Sequence, residues 1–153
     1  MRRNDGLVEA YLERLEEEAR ERYQDFPMKL ETIYFGGGTP SHLTDKELTQ
    51  VTALLEETWG FPATLETTLE ADPLTFDKKR LQVFRDLGFN RLSIGLQSTQ
   101  DRILKFLGRA HTGKEGLEAV TNALEAGFEV SADLITGIEQ QDTATDVHAL
   151  AQT

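Results

Sequence analysis

The 153-residue sequence contains no cysteine. Without thiols the chain has no thiolate to ligate iron. Long hydrophobic runs are missing too: no apolar stretch approaches the about 20 residues that a membrane-spanning helix needs, so membrane insertion is excluded. Basic charge is scarce. The chain carries 16 Lys and Arg against 27 Asp and Glu, a net charge of −11 with no basic stripe, which argues against nucleic acid, because phosphate binding rests on clustered Lys and Arg. Met1-Arg2-Arg3 runs into a charged segment with no apolar core. No secretory signal is read there, and the expected compartment is the cytoplasm. Histidine gives no metal site either: no second His or Cys stands at ligand spacing from His111, which reads as a turn residue before a helix. No Ser/His/Asp triad, P-loop or dinucleotide fingerprint can be argued.

What is present is an alternation of helical and extended patterns over a length suited to one domain. Leu7, Tyr11, Leu15, Ala19 and Tyr23, with Leu12 beside them, predict an amphipathic helix capped by Asp5. The charges from Glu16 to Arg22 are read as its solvated face. A strand follows at Glu31–Phe35. Thr44 and Glu47 have capping-box spacing, and Leu48, Val51 and Leu55 form a stripe that stops at Gly60. Residues 64–71 alternate as a second strand. Leu81, Phe84 and Leu87 carry a helix to Gly88, and Arg91–Gln97 alternates again. After a short helical stretch at Ile103–Leu107, Thr112 and Glu115 repeat the capping box. Leu117, Val120 and Leu124 lead to Gly127, and Val130–Ile135 is the last predicted strand. Three helices thus end in Gly-Phe, at 60–61, 88–89 and 127–128. The glycine can take the left-handed conformation that closes a helix, and the phenylalanine fills the gap beneath.

No two-residue hairpin signal occurs, so strands separated by helices predict parallel pairing. Their faces are unequal. Leu65 and Leu69 oppose Glu66, Thr68 and Glu70; Leu92, Ile94 and Leu96 oppose Arg91, Ser93, Gly95 and Gln97; Val130, Ala132 and Leu134 oppose Ser131 and Asp133. One apolar and one polar face fit a barrel wall whose interior holds a ligand, and not an open sheet covered on both sides.

Working residues of parallel α/β folds gather at the carboxyl ends of strands. Those ends carry Gly36-Gly37-Gly38-Thr39, Glu70-Ala71-Asp72-Pro73, Gln97-Ser98 and Asp133. Glycines after a strand bring bare backbone close to a ligand. Glu70, Gln97 and Asp133 suit hydroxyls or an ammonium, and Arg109 suits a carboxylate. Together they describe a small zwitterionic ligand with sugar hydroxyls. Singly, each has a plainer reading: a tight turn for the glycines, a solvated strand end for Glu70, a turn cap for Asp133, a surface ion pair for Arg109.

The segments Ile33-Tyr34-Phe35-Gly36-Gly37-Gly38-Thr39-Pro40-Ser41, Leu69-Glu70-Ala71-Asp72-Pro73, residues 90–98, Leu107-Gly108-Arg109-Ala110-His111-Thr112 and Asp133-Leu134-Ile135-Thr136-Gly137 resemble, in order, the motifs of one family. It is the radical S-adenosylmethionine family of oxygen-independent coproporphyrinogen III oxidases and their heme-chaperone relatives. The resemblance implies an α/β chain forming the central βα units of a parallel-stranded, TIM-like partial (β/α)6 barrel around a [4Fe-4S] cluster and S-adenosylmethionine. It implies that Gly37, Gly38 and Thr39 contact the methionyl part, that Glu70 also touches cofactor, and that Gln97, Arg109 and Asp133 hold its ribose or carboxylate groups.

In the oxidase branch the cofactor is cleaved reductively and a hydrogen atom is taken from a propionate arm of the porphyrinogen. The chaperone branch binds heme and delivers it. The oxidase-like assignment is the main expectation and the heme chaperone its alternative, to which the Leu-Gly-Arg-Ala-His wording points. An inactive fragment is the third reading.

Two departures stand out. The family's Cys-x3-Cys-x2-Cys loop has no counterpart, and Ile138-Glu139-Gln140-Gln141-Asp142 replaces the usual Pro-Gly-Gln-Thr. Residues 1–153 are therefore expected to be an incomplete core, with no catalytic or metal-ligating residue of its own. Exposed strand edges are expected to favour self-association.

Overall fold

The computed structural model describes residues 4–26, 29–60 and 65–153. Among them are six α-helices and four strands in chain order: α1 (Asp5–Asp25), β1 (Thr32–Phe35), α2 (Asp45–Trp59), β2 (Glu66–Ala71), α3 (Lys78–Asp86), β3 (Arg91–Gln97), α4 (Asp101–Phe106), α5 (Gly113–Glu125), β4 (Glu129–Leu134) and α6 (Thr143–Ala151). Two short 3-10 turns, Pro40–His42 and Pro73–Thr75, follow the first two strands. The chain divides into two compact units, one of residues 1–33 and 43–65, the other of 34–42 and 66–153.

The first unit is built on α1 and α2. The side chain of Asn4, not Asp5, caps α1 by accepting the Leu7 N–H. A residue one position earlier keeps extended backbone and aims its oxygen at the free amides of the first turn. The buried stripe of α1 is also displaced from the predicted one. Leu12 and Ala19 are buried, with Val8 and Leu15 partly covered, whereas Leu7 and Tyr11 stand mostly exposed. Helix α2 starts on the predicted capping box, Thr44 and Glu47 each accepting the other's backbone N–H. Tyr23 and Trp59 meet edge to face at 5.7 Å.

The four strands form one sheet in the order β1-β2-β3-β4. Pairing of β2 with β3 and of β3 with β4 is parallel. In the second unit the apolar faces of β2 and β3 are buried, with Leu69, Leu92, Ile94 and Leu96 fully covered, whereas Val130, Ala132 and Leu134 of β4 are half-buried. Helix α5 packs on β3 and β4, and α3 packs on α5.

The contacts of α5 are made by its small residues. Gly113, Gly116, Ala119, Val120 and Ala123 are buried, whereas Leu124, expected in the core, is exposed. Large side chains on that face would hold the helix away from the sheet. A Cβ on Gly116 would come within 2.3 Å of Leu96.

The Gly-Phe ends of α3 and α5 close as expected. Gly88 and Gly127 take φ of 93° and 82°, and the amides of Phe89 and Phe128 reach back to the carbonyls of Phe84 and Ala123. Both phenylalanines are buried. At the third such end Gly60 has φ of 77°; Phe61, like the Thr64 start of the second predicted strand, lies outside the described residues. The segment from Ile138 forms a turn and then α6, so the chain continues into a further regular helix. No helix among the described residues is long and apolar enough to cross a membrane.

Candidate functional site

The carboxyl ends of the strands meet the expected polar groups in one concavity of about 210 Å³, lined by Gly38, Thr39, Glu70, Ala71, Asp72, Ser93, Gly95, Gln97, Arg109 and Asp133. Gly38, Thr39, Glu70, Gln97, Arg109 and Asp133 are thus brought together. Gly37 is the one expected residue outside that lining. Its N–H donates to Glu70 Oε2 at 3.0 Å, so it shapes the site through Glu70.

Each group is held by local chemistry. Gly37 and Gly38 have φ of 85° and 65°, a left-handed bend that residues with a Cβ rarely adopt. Just beyond, the buried Ser41 hydroxyl accepts from the Asp72 N–H at 3.2 Å and the Thr75 hydroxyl at 2.6 Å. The glycine loop and the loop after β2 are fixed to each other by that one oxygen. Glu70 accepts the Tyr34 hydroxyl on Oε1 at 2.8 Å and Gly37 on Oε2. Two further acceptor positions of the carboxylate remain for a ligand. The bond to Glu70 holds the Tyr34 phenol above its ordinary value; burial adds to this and the Ser93 hydroxyl opposes it.

On the far side, Asp133 Oδ2 accepts the Ser93 hydroxyl at 3.1 Å. Arg109 spans the floor. Its Nη2 donates to Asp72 Oδ2 at 3.0 Å and to the Gly95 carbonyl at 3.1 Å, while its Nε is buried with no hydrogen-bond partner. The ion pair expected as the plain alternative for Arg109 therefore exists, and it lies inside the cavity wall. Gly95 gives this group its room: a Cβ there would stand 3.0 Å from Gln97 Nε2 and 3.2 Å from Arg109 Nη2.

Gln97 is the least ordinary residue. It is one of only two described non-glycine residues with positive φ, at 66°. The β3–β4 register also slips at this point: Ile94 faces Ala132, whereas Gln97 faces Leu134. The extra residue on β3 is a bulge, which re-aims the side chain that follows it.

Asp72, among the strand-end groups, and Ser93, Gly95 and Tyr34 carry no expected cofactor contact. Ser93 and Gly95 lie on the polar face of β3, so alternation alone could have found them. Tyr34 gave no such signal. His111 is buried, its Nε2 3.1 Å from the Leu96 carbonyl oxygen, which makes it a packing residue behind β3 and not a loose turn residue. Among the described residues no group of three or more His, Asp or Glu is placed to hold a metal ion.

The radical SAM superfamily family model matches residues 3–150. This chain belongs to the radical SAM superfamily. Within it, the chain is 39% identical over 147 residues to the heme chaperone HemW of Synechocystis sp., covering 95% of this chain and 35% of that protein. It is 30% identical over 141 residues to the oxygen-independent coproporphyrinogen III oxidase of Salmonella typhimurium, covering 91% of this chain and 31% of that one. The solved structure of coproporphyrinogen III oxidase from Escherichia coli, a radical SAM enzyme, superposes with a TM-score of 0.89 at 29% identity, over 99% of this chain and 36% of that chain. The chain thus spans about a third of the length of the curated relatives it matches; within the superfamily it is similar to heme chaperones and oxygen-independent coproporphyrinogen III oxidases.

Radical SAM proteins use S-adenosylmethionine and a [4Fe-4S] cluster. The donor set of this chain does not fit the cluster, for the sequence has no cysteine. For the sulfonium nucleotide the cavity offers a fitting set: bare glycine backbone, carboxylates with free acceptor positions, an amide, and a guanidinium whose Nε is unpartnered.

Proposed function

We propose that the cavity at the ends of β1–β4 binds part of S-adenosylmethionine, and that the chain is a core segment of a longer protein acting on heme or a porphyrinogen. One observation carries this reading: six of the expected cofactor residues line a single concavity. Each has a role its geometry allows. The backbone at Gly38 and Thr39 meets the methionyl group, with Gly37 set by Glu70. Glu70 takes the ammonium on the acceptor positions that Tyr34 and Gly37 leave open. Arg109, steadied on one side by Asp72, offers its remaining donors to a carboxylate. Gln97 and Asp133 hold hydroxyls. S-adenosylmethionine, when bound, would supply radical chemistry in this superfamily; the residues of this chain would orient it and supply none of a cluster's thiolates.

Between the two relatives, the heme-chaperone reading is favoured by the higher identity of 39% against 30% and by the Leu107–His111 wording. The oxidase reading is supported by the TM-score of 0.89. A cytoplasmic setting, the status of residues 1–153 as an incomplete core, and self-association through the outer strands β1 and β4 belong to the same proposal.

Calorimetric titration of the chain with S-adenosylmethionine tests the cavity. Saturable binding that weakens in Arg109→Ala supports it, and absence of binding refutes it. Heme titration and a coproporphyrinogen decarboxylation assay on the longer protein separate the branches, since turnover excludes the chaperone reading.

A further inference from the structure

Asp146 lies on α6, outside the cavity, and is fully buried. A buried carboxylate persists only when its oxygens are satisfied, and three of the donors to this one come from two consecutive residues. Its Oδ1 accepts the Thr99 N–H at 2.7 Å, the Thr99 hydroxyl at 2.8 Å and the Ser98 hydroxyl at 2.9 Å, and its Oδ2 accepts the Gln141 amide at 3.1 Å. Ser98 and Thr99 directly follow Gln97. Around this centre the turn before α6 is sewn to the same place. Gln100 donates to the Asp142 carbonyl, Arg102 donates to the Gln140 carbonyl, and Gln141 donates to the Ile135 carbonyl at the end of β4.

A left-handed glutamine beside a bulge is not self-sustaining. A non-glycine residue in that region is strained and persists where the surroundings over-determine it. On its N-terminal side Gln97 has the β3 ladder, with His111 Nε2 at the Leu96 carbonyl and Arg109 at the Gly95 carbonyl. On its C-terminal side the Ser98 N–H turns back to the Leu96 carbonyl at 2.8 Å, and the Gln97 carbonyl accepts the Ile135 N–H at 2.9 Å. The next two residues are locked onto Asp146. We infer that Asp146 is a positioning residue, which holds the Ser98-Thr99 turn so that Gln97 keeps its left-handed backbone and its side chain faces the cavity. Together with the preceding turn at Gln140–Asp142, part of the segment that departs from the resemblance, Asp146 braces the ligand-facing end of β3.

The inference rests on the proposed cofactor cavity only for its ligand readout, so the test has two arms. In the first, the chain is labelled at glutamine and the Cα and Cβ chemical shifts of Gln97, which report its backbone conformation, are followed by NMR. Asp146→Ala should move them out of the left-handed range, and Thr99→Val, which removes one hydroxyl donor, should move them part of the way. Leu81→Ala, a core truncation remote from the turn, should lower stability and leave them in place. In the second arm S-adenosylmethionine is titrated. Asp146→Ala and Asp146→Asn should weaken binding at least tenfold, and Leu81→Ala should change it less than twofold.

Unmoved Gln97 signals in Asp146→Ala overturn the inference. Should that variant not fold, unmoved signals in both Thr99→Val and Asp146→Asn overturn it equally. Failure of the wild-type chain to bind S-adenosylmethionine sinks the cavity reading alone, because the Gln97 signals still decide the role of Asp146.

Discussion

The hydroxyl of Tyr34 donates to Oε1 of Glu70 at 2.8 Å, although the residue is 56% exposed. The ring reaches that oxygen by folding over Gly36, where a Cβ would lie 2.6 Å from Tyr34 Cε1. The first glycine of the triple is therefore a seat for an aromatic ring, and the phenol holds one oxygen of Glu70, which lines the cavity.

From this contact follows the first prediction. Hydrogen bonding to Glu70 raises the Tyr34 phenol above its ordinary value of about 10. A raised native value favours the protonated form. Its contribution to stability is complete below the unfolded phenol's value and is lost as the pH rises through the native one. In a pH titration monitored by tyrosinate absorbance or NMR, Tyr34 should ionise above the ordinary value. Glu70→Gln should bring its midpoint back down. A Tyr34 midpoint that Glu70→Gln leaves unchanged would mean that the bond is absent in solution.

Acid should act through Asp146. Burial works to raise its carboxyl, but the Thr99 amide and hydroxyl, the Ser98 hydroxyl and the Gln141 amide outweigh burial and hold it below the ordinary aspartate value. A depressed native value means stability that is present above the unfolded value of about 3.9 and lost as the pH falls through the native one. Denaturant midpoints measured from pH 6 downward should therefore fall more steeply in wild type than in Asp146→Asn, whose amide does not titrate. Parallel pH profiles in the two proteins would show that the clamp contributes nothing to acid stability.

Much of this arrangement was legible in the chain, and the reasons are local. Alternation in residues 91–97 gave β3 its limits, because a half-buried strand must put every second residue toward the core. The boxes at Thr44 and Thr112 gave two helix starts, because a side chain that satisfies free amides is a short-range signal. The resemblance at Gly36–Ser41, Glu70, Gln97, Arg109 and Asp133 assembled the cavity lining. What could not be read depended on tertiary partners. Leu124 belongs to an apolar pattern, yet α5 buries its glycines and alanines to come close to β3. The buried face of α1 runs through Leu12 and Ala19, a choice that only the packing against α2 determines. Asp146 looked like one more acid in an acidic protein, since its donors at Ser98 and Thr99 are 48 and 47 positions away.

Close packing at the start of α5 gives the third prediction. A Cβ on Gly113 would lie 1.8 Å from the Thr99 carbonyl oxygen, a backbone atom that cannot rotate aside. Gly113→Ala must displace either the helix start or the turn that follows β3. The cost expected for such overpacking is about 1–3 kcal/mol, read as a lowered denaturant midpoint. Because Thr99 also binds Asp146, the same variant should disturb the Gln97 signals, which a change on the exposed face of α5, such as Lys114→Ala, should not do.

Arg109 and Asp72 separate stability from recognition. Their ion pair spans 3.0 Å with both side chains partly exposed, at 30% and 24%, and such pairs contribute about 0–1 kcal/mol. Asp72→Asn keeps the Oδ1 that accepts the Leu74 N–H but sets an amide against the guanidinium in place of Oδ2. The thermal midpoint should consequently change little. Ligand affinity should change more, because Arg109 loses the partner that orients it while keeping its charge. Removing the guanidinium in Arg109→Ala deletes a charged hydrogen-bond donor set worth about 1.5–3 kcal/mol, so S-adenosylmethionine binding should fall by roughly ten- to a hundredfold. The double variant Asp72→Asn with Arg109→Ala should bind no more weakly than Arg109→Ala alone, since Asp72 is expected to act only through the arginine. Additive losses in that cycle would place Asp72 in direct contact with the ligand instead.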